Sequence, residues 1–377
     1  MKKLAAVSIL ILFAAGALFA GGSAEGNRSF VGVAMPETHV QRWIKDGAYL
    51  VGEVTKRGYE AEAQWSDGVS QATQNSHIEG FLTKGAKALL IGQINQGVAA
   101  AVNRARQEGV VVVAYDRIIQ GTNNYDYLVT FNNYKVGTFQ GQAIASALDL
   151  NNATTAAPKT ITLFAGSPTD ANANFFFQGA MDVLLPFIDK GVLRVVGPFP
   201  RHYSESTFQR IATEGWSASI AKARMEGLLI GDARTVTLDA VLTPNDTLAI
   251  AIIEACKADA KYRTKLPVVT GQDAQFSSMV SIKNGEQNMT VFKDAKLQAA
   301  AAALLVDQLL KKQRVNIPGS VLITPDSTNA LLKEIGNTGT GYVNVILLDP
   351  ILITKDSNFQ YPSDVGWLSP AEAAQLK

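Results

Sequence analysis

From Ser29 onward, short apolar runs alternate with longer stretches in which apolar residues recur every three or four positions. Phe30–Met35, Ala61–Trp65, Ala88–Ile91 and Val110–Tyr115 read as strands, and Val40–Lys56, Gln71–Lys84 and Val98–Gln107 as the helices between them. Gly58, Gly85 and Gly109 each stand where a helix has to stop before the next strand. This switching between a period near two and one near 3.6 predicts βαβ units and a parallel sheet.

A second series repeats the layout. Its strands are Leu128–Phe131, Thr160–Ala165, Leu193–Gly197, Ala240–Thr243, Val268–Gly271 and Met289–Phe292. Its helices are Val136–Leu148, Ala173–Lys190, Ala218–Ile230, Thr247–Ala258, Ser277–Asn284 and Ala295–Lys311. Asn151–Lys159 and Pro318–Ser327 read as loops. The letters contain no tandem repeat, so the expected α/β fold is two doubly wound parallel-sheet lobes with a cleft between them.

Composition narrows the function classes. The 377 residues are 47% apolar, which rules out a disordered chain, and 34 Lys+Arg against 33 Asp+Glu leave no basic footprint for nucleic acid or an anionic membrane. A DNA-reading module is also absent before Ser29. Residues 1–24 instead read as an export signal: Lys2 and Lys3, an uncharged run Leu4–Ala20, then the small residues Gly21 to Ala24. That run of 17 residues includes Gly16 and is shorter than the roughly 20 that a spanning helix needs. No cysteine stands at the cleavage zone, so export without a lipid anchor is expected. Cys256, the sole cysteine, lies in an apolar helical pattern and is expected to be a buried thiol.

Ligands of open parallel sheets bind beyond the carboxyl ends of the strands. Here those ends are polar: Glu37, His39, Gln41 and Arg42; Asp116 and Arg117; Asp170, Asn172 and Asn174; Asn245 and Asp246; Gln272 and Asp273; Lys293 and Asp294. Carboxylates, amides and guanidiniums of this kind suit a sugar, whose hydroxyls both donate and accept, with an aromatic plate against its C–H face. Trp43, Trp216 and Phe175 are the candidate plates. Taken singly, Asn245, Asp246 and Asp273 equally fit helix caps, Trp43 fits core packing, and Asp116–Arg117 fits a surface ion pair.

Catalytic and cofactor motifs are missing: there is no Walker A sequence, no glycine-rich dinucleotide fingerprint, no G-x-S-x-G, no H-E-x-x-H and no C-x-x-C. His39, His77 and His202 lack metal-ligand spacing, so neither metal nor cofactor is expected. Asp116 and Asp273 remain open as a glycosidase pair, because a sugar binder needs carboxylates too.

Six stretches at strand ends carry a resemblance: Arg42-Trp43-Ile44-Lys45-Asp46, Ala114-Tyr115-Asp116-Arg117, Gly166-Ser167-Pro168-Thr169-Asp170-Ala171-Asn172-Ala173, Asn245-Asp246, Gly271-Gln272-Asp273-Ala274 and Thr290-Val291-Phe292-Lys293. Over them the chain resembles the periplasmic sugar-binding proteins of ABC importers, type I fold, and within these the D-xylose- and aldose-binding branch. The resemblance implies a non-catalytic, monomeric periplasmic receptor. It would capture an aldopyranose, D-xylose first and galactose, glucose or arabinose next, for an ABC permease, with a chemoreceptor or sensor kinase as a further partner.

The same resemblance gives Arg42, Asp116, Arg117, Asp170, Asn172, Asn245, Asp273 and Lys293 as hydrogen-bonding partners of the pyranose and Trp216 as an aromatic wall. Asn132-Asn133 departs from the Asp-Asn frequent in relatives. It also implies a hinge of three crossings, near Thr130–Asn133, Gly271–Ala274 and Pro318–Asp326. The lobes then comprise 29–131 plus 275–317 and 132–274 plus 318–360, followed by a tail at 361–377.

Overall fold

In the computed structural model, residues 28–40, 42–66, 70–357 and 359–377 are described, so the expected export signal lies outside the described residues. The first lobe runs β1 (Phe30–Met35), α1 (Arg42–Lys56), β2 (Glu60–Trp65), α2 (Gln71–Thr83), β3 (Ala88–Ile91), α3 (Ala99–Gln107), β4 (Val111–Tyr115) and β5 (Tyr127–Phe131). β3 is wholly buried and β1 nearly so, because helices cover both faces of a central parallel strand. β2 alternates charged and apolar residues and is half-exposed, as an edge strand should be.

The second lobe runs α4 (Asn133–Ala147), β6 (Lys159–Leu163), α5 (Asn172–Asp189), β7 (Leu193–Val195), α6 (Ala218–Ile230), β8 (Ala240–Leu242), α7 (Asp246–Ala258), β9 (Val268–Val269), α8 (Phe276–Lys283) and β10 (Met289–Phe292). The chain then returns through α9 (Ala295–Leu310), β11 (Val321–Ile323), α10 (Ala330–Glu334) and β12 (Asn344–Leu348). It closes with β13 (Ile351–Thr354), α11 (Gln360–Asp364) and α12 (Pro370–Leu376).

Strand order is β2-β1-β3-β4-β5-β12-β11 in one sheet and β7-β6-β8-β9 in the other. Backbone bonds from Asn288 to Val269 and from Asp273 to Val291 set β10 beside β9, and β13 pairs antiparallel with β10. Both lobes therefore repeat the doubly wound order, and their strand ends face one another across the cleft. In the second lobe, α4 and α5 lie unusually close: a Cβ at Gly137 would fall 1.9 Å from the Phe176 carbonyl oxygen, and one at Gly179 2.1 Å from that of Tyr134. Only glycine permits that approach, and it fixes the helix that carries Asn172 and Phe176.

Two expected lobe boundaries are corrected. The segment 318–348 belongs with the first lobe, because β12 pairs in parallel with β5 over five residues and β11 pairs with β12. The segment 275–292 belongs with the second, where Met279 and Ile282 of α8 share a core with Phe292 and Ile353. Strand pairing, rather than adjacency along the chain, decides both assignments. The crossings consequently fall at 132, 293–294 and 349–350.

Candidate ligand-binding site

Both lobes contribute side chains to one small enclosure. Asp116 and Arg117 follow β4, and Arg42 and Trp43 open α1; from the other lobe come Asp170 and Asn172 at the start of α5, Trp216, Asn245 at the start of α7, and Asp273 after β9. Lys293 enters from the second crossing. These ten residues, with Val40, Phe176 and Gln272, surround one narrow enclosure.

Arg42 organises the charges. Its Nε binds Asp46 at 2.8 Å one helical turn on, and Nη2 donates to Gln298 Oε1 at 3.2 Å. Its Nη1 is left facing Asp116 at 3.1 Å and Asp273 at 3.7 Å, one carboxylate from each lobe. Tyr115 donates to Asp46 at 2.7 Å, so Arg42 is held through a second residue as well. Arg117 spans the lobes: its guanidinium grips Glu37 at 2.8 Å on one side and Asp170 at 2.8 Å on the other. Trp43 lies within 5.0 Å of both guanidinium carbons, which keeps the two cations apart.

Asn172 Nδ2 donates to the Asp116 carbonyl at 3.2 Å, and Asn133 Nδ2 donates to Asn172 Oδ1 at 2.8 Å. The Asn132-Asn133 pair thus divides its work: Asn132 caps α4, and Asn133 fixes the amide of Asn172. Asn245 caps α7, accepting from the Leu248 N–H at 3.1 Å, and lines the enclosure as well, while Asp170 accepts from the Asn172 N–H at 3.0 Å. Asp116–Arg117 is no surface pair, since both residues are buried.

Burial alone would lift the Asp116 carboxyl, but Arg42, Lys293 and Arg117 together outweigh it and hold it below the usual carboxylate range. An ionised carboxylate here is suited to accept hydrogen bonds from hydroxyl groups. Burial pushes the Lys293 ammonium down, although Asp116 and Asp273 oppose it at 3.6 and 4.0 Å.

Trp216 fills a slot opened by Gly166, where a Cβ would stand 2.0 Å from the indole, and Phe176 meets it edge-on at 6.4 Å. Phe175 is corrected: it faces away from the enclosure, against the first-lobe core beside Leu331 and Tyr342. Its neighbour Phe176, about 100° further round α5, takes the inner position, 5.4 Å from Lys293 Nζ. Asp46, Glu37, Asn133 and Gln298 support these residues without having been expected to touch a ligand. Asp46 stands in the first quoted motif at i,i+4 from Arg42, Glu37 among the polar residues after β1 and Asn133 in the Asn-Asn pair, whereas Gln298 carries no sequence signal.

At the mouth, His39 Nε2 donates to the Gly215 carbonyl at 2.8 Å, joining the lobes over the enclosure. A larger depression of about 560 Å³ opens at the amino ends of β9 and β10, but its charged walls, Lys257, Arg263, Lys265 and Lys355, are exposed surface residues. The orphaned atoms are concentrated in the small one. Gln272 Oε1 and the indole nitrogens of Trp43 and Trp216 are buried without a hydrogen-bond partner, and Arg42 Nη1, Asp116 Oδ2 and Asp273 Oδ1 are buried with ion-pair contacts but no hydrogen bond.

Two facing doubly wound lobes joined by three crossings, with such a cleft, define a periplasmic binding protein, and the chain belongs to that family: the periplasmic binding protein domain matches residues 31–314. The resemblance read from the six motifs is therefore a family membership. The chain is similar to the multiple sugar-binding periplasmic receptor ChvE of Rhizobium radiobacter, 36% identical over 98% of this chain and 99% of that one. It is also similar to the D-xylose-binding periplasmic protein of Escherichia coli, 31% identical over 80% of this chain and 84% of the relative. Among solved structures, an ABC transporter solute-binding protein from Clostridium phytofermentans with bound β-D-glucose superposes with a TM-score of 0.80, at 34% identity, over 93% of this chain and all of that one.

Proposed function

We propose that this protein is a periplasmic monosaccharide receptor that captures an aldopyranose between its lobes and delivers it to an ABC permease without altering it. The observation that carries this reading is the convergence of buried charges from both lobes, Arg42, Asp116, Asp273 and Lys293, which meet one another only as ion pairs at 3.1–4.0 Å, beside the unpartnered Gln272 Oε1 and two indole nitrogens of the same enclosure. Such atoms cost free energy unless a ligand meets them, and a pyranose ring offers hydroxyls on its rim and C–H faces to the indoles. D-xylose and D-glucose, which share their ring hydroxyl pattern, are the first ligands to try, in keeping with the sugars named for two of the relatives. Galactose and arabinose come next. Presentation of the closed form to a chemoreceptor or sensor kinase is compatible with the same site.

Thermal unfolding against xylose, glucose, galactose, arabinose, ribose and fucose tests the reading. A ligand at 100 times its dissociation constant adds about 2.7 kcal/mol. One or two aldopyranoses are expected to raise Tm clearly; no shift with any of them, on protein freed of carried-over sugar, would sink the proposal.

A further inference from the structure

We infer that Trp367, near the chain end, is a positioning residue for the Asp273 carboxylate, a role that rests on the receptor reading above. Asp273 and Ala274 are consecutive non-glycine residues in left-handed backbone, with φ of 94° and 46°. Such a pair does not hold its shape without outside support. Three bonds from the second lobe supply part of it: Asp273 N–H to the Val291 carbonyl at 2.8 Å, Ala274 N–H to Thr290 Oγ1 at 3.1 Å, and Gln275 N–H to Asp246 Oδ2 at 2.9 Å. The fourth comes from 93 residues further along, where Trp367 Nε1 donates to the Ala274 carbonyl at 2.8 Å. Ala274 is wholly buried, so no water replaces that donor.

Trp367 also reaches the other carrier of the site. Lys45 of α1 donates to the Trp367 carbonyl at 2.6 Å and sets its ammonium 4.1 Å from the indole centroid. Lys45 is three residues from Arg42, whose Nη1 faces Asp273 at 3.7 Å. The ring packs on Phe292 at 5.4 Å, next to Lys293. One residue outside the enclosure therefore braces the backbone of Asp273 and the helix of Arg42 together. The segment 361–377, expected as a tail beyond the lobes, is part of the binding apparatus.

Calorimetric titration of the chain with D-glucose and D-xylose, alone and in a double-mutant cycle, tests this. Trp367→Phe keeps the packing and removes the N–H; it should weaken binding about five- to tenfold. In an Asp273→Ala background the same change should cost little, because the positioned group is gone. Unchanged affinity with a lowered Tm, or an equal loss in both backgrounds, would show a merely structural residue and overturn the inference. Should Trp367→Phe fail to fold, Lys45→Met decides: about a twofold to threefold loss confined to the Asp273 background supports it, and no loss overturns it. If the unmodified chain binds neither these sugars nor any other aldopyranose, the receptor reading itself has failed.

Discussion

Asp116 and Asp273 are counterparts across the cleft. Each follows the fourth strand of its lobe, each adopts left-handed backbone, with φ of 63° and 94°, and each donates its N–H to the neighbouring fifth strand, at Val129 and Val291. The two carboxylates then converge on a single nitrogen of Arg42. Left-handed backbone costs a non-glycine residue about 1 kcal/mol or more, and here both lobes sustain it to aim a carboxylate into the cleft.

Removing Asp273, or the neighbouring Asn245 of the same enclosure, should be felt in affinity. Asp273→Ala and Asn245→Ala are each expected to weaken sugar binding by more than about 1.4 kcal/mol, a factor of ten, measured by calorimetric titration. Unchanged affinity in both variants would remove these residues from the site.

Gly166→Ala tests the aromatic wall. The added methyl meets Trp216 at 2.0 Å, so the indole must shift, at a cost of about 1–3 kcal/mol in stability. Tm should fall and affinity with it, and the intrinsic tryptophan signal on adding sugar should change. A variant with native Tm and native affinity would show that the slot has room to spare.

His39→Ala tests the bond at the cleft mouth. A hydrogen bond of net worth about 0.5–1.5 kcal/mol, made across the lobes, should appear as a two- to tenfold faster sugar release with little change in association. Stopped-flow measurement of both rates decides it, and an unchanged release rate would mean that the mouth is closed by other contacts.

Asp246 predicts a pH dependence of stability. Burial pushes its carboxyl up to about 8, against the Gln275 N–H and with Asp273 adding to the rise. In the unfolded chain the same group titrates near 3.9. Its folded pKa is raised, so this contribution is fully present below about pH 4 and is lost progressively as pH rises to about 8, by at most about 1.4 kcal/mol per unit. Asp246→Asn should flatten the fall of Tm between pH 5 and 8; an unaltered slope would show that Asp246 is ionised throughout.

Much of this was legible in the letters. β1, β3, β10 and α6 stand at the bounds that the sequence predicts, because the strands are compact, mostly apolar runs and α6 is bounded by the Ser217 cap and Gly231. All nine predicted ligand residues and Trp43 line one enclosure, since strand ends are where a doubly wound sheet gathers polar groups. What the pattern could not convey was pairing. β11, β12 and β13 are short and follow a loop-rich stretch, and their partners lie far away in the chain, so Pro318–Ser327 read only as a connection. The run Phe175-Phe176-Phe177 was ambiguous for a related reason: Phe175 packs toward the first lobe, Phe176 faces the enclosure and Phe177 lies in the second-lobe core. Three identical side chains on successive positions of a helix leave no periodicity to read.

The three crossings also set an order of completion during synthesis. The first sheet lacks β12 until residue 348 has been made, and β10 lacks its antiparallel neighbour until residue 354. A growing chain therefore carries two unfinished lobes almost to its end, with the edge of β5 open. Both become whole within the last few dozen residues, and the brace behind Asp273 arrives after either sheet is complete.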